Sequence, residues 1–414
     1  MVSVAIMGHG VVGSGVAEIL TTHKNKLFAS LGEELYIKYI LDLRDFPDSP
    51  LCDRFTKSFD DIINDIDVGI VVEVMGGLHP AYDYVKACLS CGKSVVTSNK
   101  ELVAAYGAEL LAIAKENNTN FLFEASVGGG IPIIRPMNQC LVANNVDEIA
   151  GILNGTTNFI LTKMITEGMT FEDALALAQK LGYAERNPEA DVEGYDACRK
   201  ICILASLAFS KHIYPDAVYT KGISDITLED VKYAEIWGGV IKLIGKVKLV
   251  ENNMCDILVA PMFIPNTSQL ANIDDVFNGI MVRGDCTGDV VFYGKGAGKL
   301  PTASAVVADI VDCAKHLKNR KHLFWADSDN SSVLDYKKSV TAMYIRAITD
   351  DRDFAYNKAR ELFSDIHILT NPDAPESEVA FVTEEETFGS ICEKIEKLNS
   401  LGISVKSAIR IGDL

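Results

Sequence analysis

The 414-residue sequence has no excess of positive charge, no long apolar run, no cysteine framework and no low-complexity segment. Each absence removes a class of function. A formal net charge of −18 argues against nucleic acid or an anionic membrane as partner. No stretch is apolar over the length a bilayer requires. The first residues are apolar but lack a basic segment and a cleavage site, and they run straight into glycines, so they read as a strand and not a signal peptide. Of the ten cysteines, only Cys88 and Cys91 stand as a CxxC pair, with no second pair and no histidines at zinc spacing. Reduced thiols in a cytoplasmic protein are the reading that follows. Apolar residues at 48% and charged residues at 23% are ordinary for a soluble globular chain.

What is present is an alternation. Short aliphatic runs (Val2–Gly8, Leu35–Asp42, Val68–Gly77, Ser94–Asn99, Asn120–Gly129) are separated by helical patterns, which predicts a parallel sheet covered on both faces. Beyond about Ile131 the pattern becomes mixed α+β, with helices over 170–183, stopped at Gly182, and 194–209 and β-rich runs over 240–295. A strong helix follows from Lys299, with Pro301 near its start. Polar residues then lead to a β-α-β-β-α-β tail of ferredoxin-like character. The expected division is a nucleotide-binding domain from 1–130 with 296–318, a substrate and dimerisation domain over 131–295, a linker over 319–338 and the tail over 339–414.

The stretch Gly8-His9-Gly10-Val11-Val12-Gly13-Ser14-Gly15 lies between the first strand and the first helix. In that position the first glycine permits the turn and the second lets backbone approach a pyrophosphate. The third allows close helix–strand packing, and the helix start offers N–H groups to the anion. Asp42 closes the second strand, where an acid holds a ribose 2′-hydroxyl and favours NAD. Arg44 and Lys57 follow, and either suits the 2′-phosphate of NADP, so both cofactors stay open.

Hydride transfer also needs a group to carry the hydroxyl proton. The densest polar run is Leu181 to Lys200, with Tyr183, Glu185, Asp191, Glu193, Asp196, Arg199 and Lys200. Asp196 and Lys200 share a helix face, and Lys200 enters an apolar helix, where desolvation lowers a lysine pKa. Spacing alone leaves two readings, a proton-shuttle site or a solvated acidic loop with one surface pair. Lys100 is either a ligand-facing residue at the end of a sheet strand or a helix-start lysine behind an Asn99 cap. Glu124 to Pro132, rich in glycine, is either a carbonyl-lined ligand site or an interdomain hinge.

These segments resemble the homoserine dehydrogenases. The matches run in family order: Gly8–Gly15, Glu73–Gly77, Thr97–Lys100, Glu124–Pro136, Gly151–Leu161, Leu181–Lys200 and Gly294–Ile310. The resemblance implies reversible NAD(P)-dependent interconversion of L-homoserine and L-aspartate 4-semialdehyde, in threonine, methionine and isoleucine biosynthesis. It implies Lys200 as proton carrier, with Lys100 as a second candidate beside nicotinamide and substrate. Glu185, Asp196 and Asp191 then serve the substrate, with Gly155, Thr156 and Tyr183 around it. Gly8, Gly10, Val11, Val12, Gly13, Met75, Gly76, Gly182 and Gly298 fall near the cofactor. Glu124, Val127, Gly129 and Ile131 match a structural sodium site built of carbonyl oxygens. A homodimer or homotetramer is implied as well.

The tail resembles an ACT domain, which implies either binding of an amino-acid effector such as threonine or a role in holding subunits together. Its first loop reads Thr349-Asp350-Asp351-Arg352-Asp353-Phe354, without the Pro-Gly of that module. Two rival readings carry different signatures. An acylating semialdehyde dehydrogenase needs a reactive pocket cysteine, whereas Cys198 and Cys202 sit on a helix stripe. A cofactor-sensing regulator would not need the Glu185, Asp196 and Lys200 set.

Overall fold

The computed structural model describes all 414 residues. In chain order its first part runs β1 (Val2–Met7), α1 (Val11–Thr22), α2 (Lys24–Leu31), β2 (Leu35–Leu41), β3 (Phe55–Thr56), α3 (Asp60–Ile63), β4 (Val68–Glu73), α4 (Ala81–Ser90), β5 (Ser94–Thr97), α5 (Lys100–Glu116) and β6 (Phe121–Leu122). The middle continues with β7 (Val146–Ile152), α6 (Gly155–Glu167), α7 (Phe171–Leu181), α8 (Glu189–Val192), α9 (Tyr195–Phe209), β8 (Tyr219–Thr220), α10 (Leu228–Trp237), β9 (Gly239–Val250), β10 (Met254–Pro265), β11 (Phe277–Gly284), β12 (Gly288–Lys295) and α11 (Lys299–Lys315). The tail holds β13 (Val340–Thr341), β14 (Met343–Ile348), α12 (Arg352–Phe363), β15 (Ile366–Ile368), β16 (Glu378–Thr383), β17 (Glu386–Thr387), α13 (Phe388–Ser400) and β18 (Ser404–Ile411).

Two compact units emerge. The first comprises Met1–Asn145, Arg199–Pro215 and Phe292–Asn330. Its sheet is parallel with order β3-β2-β1-β4-β5-β6. This is the doubly wound order of dinucleotide-binding folds, whose ligand crevice opens at the carboxyl ends of the strands where the order reverses. Every residue of β1 is buried, as expected for a central parallel strand covered on both faces. Helix α11 packs on α1 at Gly15, where a Cβ would lie 2.9 Å from the Ala303 Cβ.

Three local differences from the sequence expectation have physical causes. The first helix breaks at His23 because Thr21 and Thr22 turn their hydroxyls back to the carbonyls of Ala17 and Glu18, a bond that competes with regular helix. The fifth expected strand stops at Leu122 and turns at Phe123, because Glu124 swings its carboxylate into a bend further along. The short strand β3 carries too little pattern to announce itself.

The second unit comprises Val146–Cys198, Asp216–Val291 and Ser331–Leu414. Its mixed sheet has the order β12-β11-β7-β9-β10-β18-β14-β16-β15, with β8 also on β10. Strands β9 and β10 form a long antiparallel hairpin from Gly239↔Pro265 to Val250↔Met254. The tail adopts the ferredoxin-like β-α-β-β-α-β order, its β14 flanked antiparallel by β16 and β18. Ala355, Ala359, Phe363, Ile391 and Leu398 of its two helices pack on the strands. The tail is stitched to the middle sheet by parallel pairing of Met262 with Arg410 and Phe263 with Ile411. No helix is long and apolar enough to cross a membrane. All ten cysteines are free, and burial pushes the Cys88 thiol of the CxxC pair up to about 12.

Candidate active site

In the first unit the glycine loop leaves β1 at the switch point. Gly8 has φ 100°, and Gly13 is pressed so close that a Cβ would lie 1.9 Å from the Gly8 carbonyl oxygen. At Gly10 a Cβ would meet nothing within 4 Å. No packing within the chain demands glycine there, so the open space is room for a ligand. Gly10 is the N-cap of α1, no side chain caps the helix and no acid sits in its first turn. The N–H groups at Val11, Val12 and Gly13 therefore begin a helix whose positive end is unscreened, a seat for a phosphate.

Asp42 faces this loop. Its Oδ2 accepts from the His9 N–H at 2.8 Å, and Arg44 donates Nε to Oδ1 at 3.0 Å and Nη2 to Oδ2 at 2.9 Å. The Arg44 guanidinium holds the Asp42 carboxyl well below the usual carboxylate range. Asp42, Arg44, Phe46, Phe55 and Lys57 line a cavity of about 410 Å³. The stacked rings of Phe46 and Phe55, 4.7 Å apart, meet the His9 ring edge-on. Burial lowers the His9 pKa, so the ring that stands in the glycine loop is the neutral imidazole. Lys57 turns away to Asp45 at 2.7 Å.

At the ends of β4 and β5 a buried carboxylate shapes the turn. Glu73 accepts from the Thr97 hydroxyl at 2.6 Å and from the Met75 N–H at 2.8 Å. Burial raises its pKa. The turn passes through Gly76 and Gly77, both at positive φ. Asn99 donates to the Gly77 carbonyl at 2.7 Å and caps α5 through the Leu102 N–H at 3.0 Å. Lys100 is thus the first residue of α5, half-buried beside this turn.

The second unit gathers the acids. Asn154, the N-cap of α6, accepts from the Thr157 N–H at 2.9 Å. Its Nδ2 donates to Asp191 at 2.7 Å and to Asp196 at 2.9 Å. Both amide hydrogens are spent on holding two carboxylates from α8 and α9 together, a negative pocket suited to an ammonium group. Thr156 donates to the Tyr183 carbonyl at 2.8 Å, and the Tyr183 ring packs on Phe159. Gly155 has no room for a side chain, because a Cβ would lie 2.7 Å from the Val276 carbonyl oxygen. Asp196 is buried on α9 at 4% exposure; Lys200, four residues further along the same helix and counted in the first unit, is buried at 8%. Glu185 is exposed in the loop after α7. Gly182 ends α7 in the left-handed conformation at φ 79°, a helix stop in its own right. Gly298, at φ 123°, is the N-cap of α11 in the first unit.

The Glu124 loop is folded by its own carboxylate, which accepts from the N–H groups of Ile133, Ile134 and Arg135 at 2.6 to 2.8 Å. Gly129, at φ 56°, is packed so that a Cβ would lie 2.2 Å from the Gly296 carbonyl oxygen, and the Ile131 N–H closes onto Gly128 at 2.8 Å. No group of three His, Cys, Asp or Glu is arranged to hold a metal.

Sequence reasoning passed over His9, Phe46, Phe55, Glu73 and Asn154. Glu73 and Asn154 carried a signal, an uncompensated acid at the end of an aliphatic run and an asparagine one residue before a helix start. The aromatic slot had none, since Phe46 and Phe55 sit in an irregular segment.

The models of two families match the chain: the homoserine dehydrogenase NAD-binding domain over residues 8–124 and homoserine dehydrogenase over 132–311. A homoserine dehydrogenase of Bacillus subtilis is 38% identical over 99% of this chain and 98% of its own length. One from Neisseria gonorrhoeae is 42% identical over 76% of this chain and 72% of its own. Among solved structures, that of a Thiobacillus denitrificans homoserine dehydrogenase superposes with a TM-score of 0.91 at 36% identity, covering 100% of this chain and 98% of that one. A hyperthermophilic archaeal homoserine dehydrogenase in complex with NADPH reaches 0.65 at 30% identity, over 75% of this chain and 97% of that one. With the doubly wound sheet, the open glycine loop and the Asn154-centred acids already in place, the chain belongs to the homoserine dehydrogenase family of oxidoreductases.

Proposed function

We propose that this chain interconverts L-homoserine and L-aspartate 4-semialdehyde with NADP or NAD, and that Lys200 carries the hydroxyl proton. The observation that carries the residue assignment is the Asn154 clamp, which gathers Asp191 and Asp196 one helical turn before Lys200. Homoserine's ammonium seeks carboxylates, and Asp191, Asp196 and Glu185 supply them. Gly155 and Thr156 at the start of α6, with Tyr183 beside them, frame the rest of the substrate. When bound, the nicotinamide supplies the hydride acceptor or donor. As C4 of homoserine loses its hydride, the hydroxyl oxygen must lose a proton as the C=O bond forms. The neutral Lys200 amine takes that proton, and in reverse its ammonium returns it to the aldehyde oxygen. Lys100 is the second group suited to proton transfer.

Gly8, Gly10, Val11, Val12 and Gly13 would hold the pyrophosphate, with Asp42 and Arg44 at the ribose and Met75 and Gly76 toward the nicotinamide. Gly182, Gly298 and Lys57 are assigned to the cofactor by resemblance alone. The carbonyl oxygens of Glu124, Val127, Gly129 and Ile131 would hold a structural sodium ion. The division into nucleotide-binding, substrate and tail domains at about residues 130, 295 and 339 belongs to the same reading, as do a cytoplasmic location and a homodimer or homotetramer. A threonine effector on the tail is less favoured than a subunit-holding role, because Asp351 is spent capping α12 through the Phe354 N–H at 2.9 Å.

The test is homoserine-dependent NAD(P)H formation by the wild type, Lys200→Ala and Lys100→Ala. Loss of a general acid–base costs about 10²- to 10⁴-fold, so Lys200→Ala should lose that much turnover while retaining cofactor binding by fluorescence titration. Near-normal turnover in Lys200→Ala would remove Lys200 from the role.

A further inference from the structure

Arg410, on β18 of the second unit, has its chemistry unspent. It lies near the end of β18, 4% exposed, and its Nε and Nη2 are buried without a hydrogen-bond partner. The guanidinium sits over the rings of Phe388 and Tyr219, 4.2 and 5.7 Å from their centroids. Burial lowers its pKa, yet a guanidinium keeps its charge in proteins. The nearby acid Asp256 accepts from the Ser339 hydroxyl at 2.8 Å and leaves these nitrogens unsatisfied. A buried cation of this kind lacks the anion that usually accompanies it.

The same side chain lines a cavity of about 120 Å³ in the second unit. Tyr219, Lys221, Met343, Phe388, Cys392 and Ile395 contribute to its wall, which includes no Asp or Glu. We propose that this cavity binds a small organic carboxylate with a short apolar body and no ammonium group, its oxygens held by Arg410 and Lys221. The planar fork of a guanidinium matches a carboxylate. The aromatic and aliphatic wall accepts the apolar body, and the volume limits it to a few carbons. An α-ammonium would find no acid on this wall to pair with and would lose its hydration. The site is therefore distinct from an amino-acid effector site at the first loop of the tail. Arg410 pairs with Met343 at the start of β14, whereas Ile348, which precedes that loop, ends the strand. Because Arg410 also pairs with Met262 of β10, the occupant would bridge the tail and the middle sheet.

Titration of the full-length protein with sodium butanoate, read by calorimetry and by thermal unfolding, tests this. The wild type should bind saturably and unfold at a higher temperature with ligand present. Butylammonium and threonine should bind at least roughly tenfold more weakly, the loss that follows from one unpaired charge. Arg410→Met keeps the length and the packing on Phe388, and should abolish binding while leaving homoserine oxidation unchanged. Ala408→Leu fills the cavity while keeping the guanidinium, and should abolish binding too, which covers a failure of Arg410→Met to fold. Absence of saturable binding in the wild type, persistence in either folded variant, or equal binding of threonine would overturn the proposal.

Discussion

The side-chain amide of Asn154 donates to Asp196 at 2.9 Å, tying the first turn of α9 to the first turn of α6. The same nitrogen donates to Asp191 at 2.7 Å. Without that amide, the two carboxylates lose the donor they share, and like charges brought close together repel.

Asn154→Ala is therefore expected to raise the KM for homoserine and to lower kcat/KM by about 10²-fold, the cost of misplacing a site by about an ångström. Loss of the cap to Thr157 removes about 1 kcal/mol of stability in addition. Asn154→Ser retains a capping oxygen but no amide. Steady-state kinetics and thermal unfolding should show stability recovered and KM still impaired. A normal KM in both variants would mean that Asp191 and Asp196 stay in place without Asn154.

The Arg44 fork on Asp42 bears on cofactor choice. Each oxygen of Asp42 already accepts from Arg44, so the proposed ribose acceptor and the proposed phosphate donor are bound to each other. Arg44→Ala removes the cation and releases the acid. Its KM for NADP should rise about 10- to 100-fold, since a hydrogen bond to a charged group is worth about 1.5–3 kcal/mol, while the KM for NAD stays level or falls. Asp42→Ala should move the ratio the other way. An unchanged ratio of kcat/KM for the two cofactors in both variants would remove this pair from the discrimination.

Lys242 is fully buried on β9 and donates to the Ile273 carbonyl at 2.6 Å and to Asn158 and Asp274 at 3.2 Å each. Asn158 in turn donates to the carbonyls of Ile273, Asp275 and Phe277. Together they pin the 273–277 loop against Gly155, which has no room to move toward it. In Lys242→Met the Asp274 carboxylate, half-exposed, can turn to water, so the expected cost is about 1–3 kcal/mol of stability by urea unfolding. KM for homoserine should rise more than kcat falls, because the start of α6 shifts and Lys200, the proposed proton carrier, does not. A lowered stability with an unaltered KM would make the network structural only.

Asp309 on α11 accepts from the Glu124 N–H at 2.8 Å and pairs with Arg135. Burial, and then the Glu124 carboxylate, push its pKa up to about 7, against the pull of Arg135. The unfolded chain loses this proton near 3.8. Across the window from about pH 4 to about pH 7 the native state holds the extra proton, so Asp309's contribution to stability declines as pH rises, by at most about 1.4 kcal/mol per pH unit. Asp309→Asn, neutral throughout, should flatten that part of the stability profile in denaturant titrations. A variant with the wild-type slope would place its origin elsewhere.

Much of this protein is legible in its sequence. The buried aliphatic runs around the glycine loop dictate a parallel sheet, because strands covered on both faces need no polar alternation. The spacing Gly8, Gly10, Gly13 already specifies a tight turn into a helix start. The tail's strand and helix periods announce its ferredoxin-like order. These are local or periodic properties, written in neighbouring residues. The roles of Asn154, Glu73 and Arg410 are not of that kind. Asn154 meets Asp191 and Asp196, some 40 residues on along the chain, Asp309 reaches back 185 residues to Glu124, and Arg410 is stranded in a cavity only because β18 pairs with β10. A side chain's partners, and whether its charge is satisfied, are set by which distant elements burial presses together, and no local pattern encodes that.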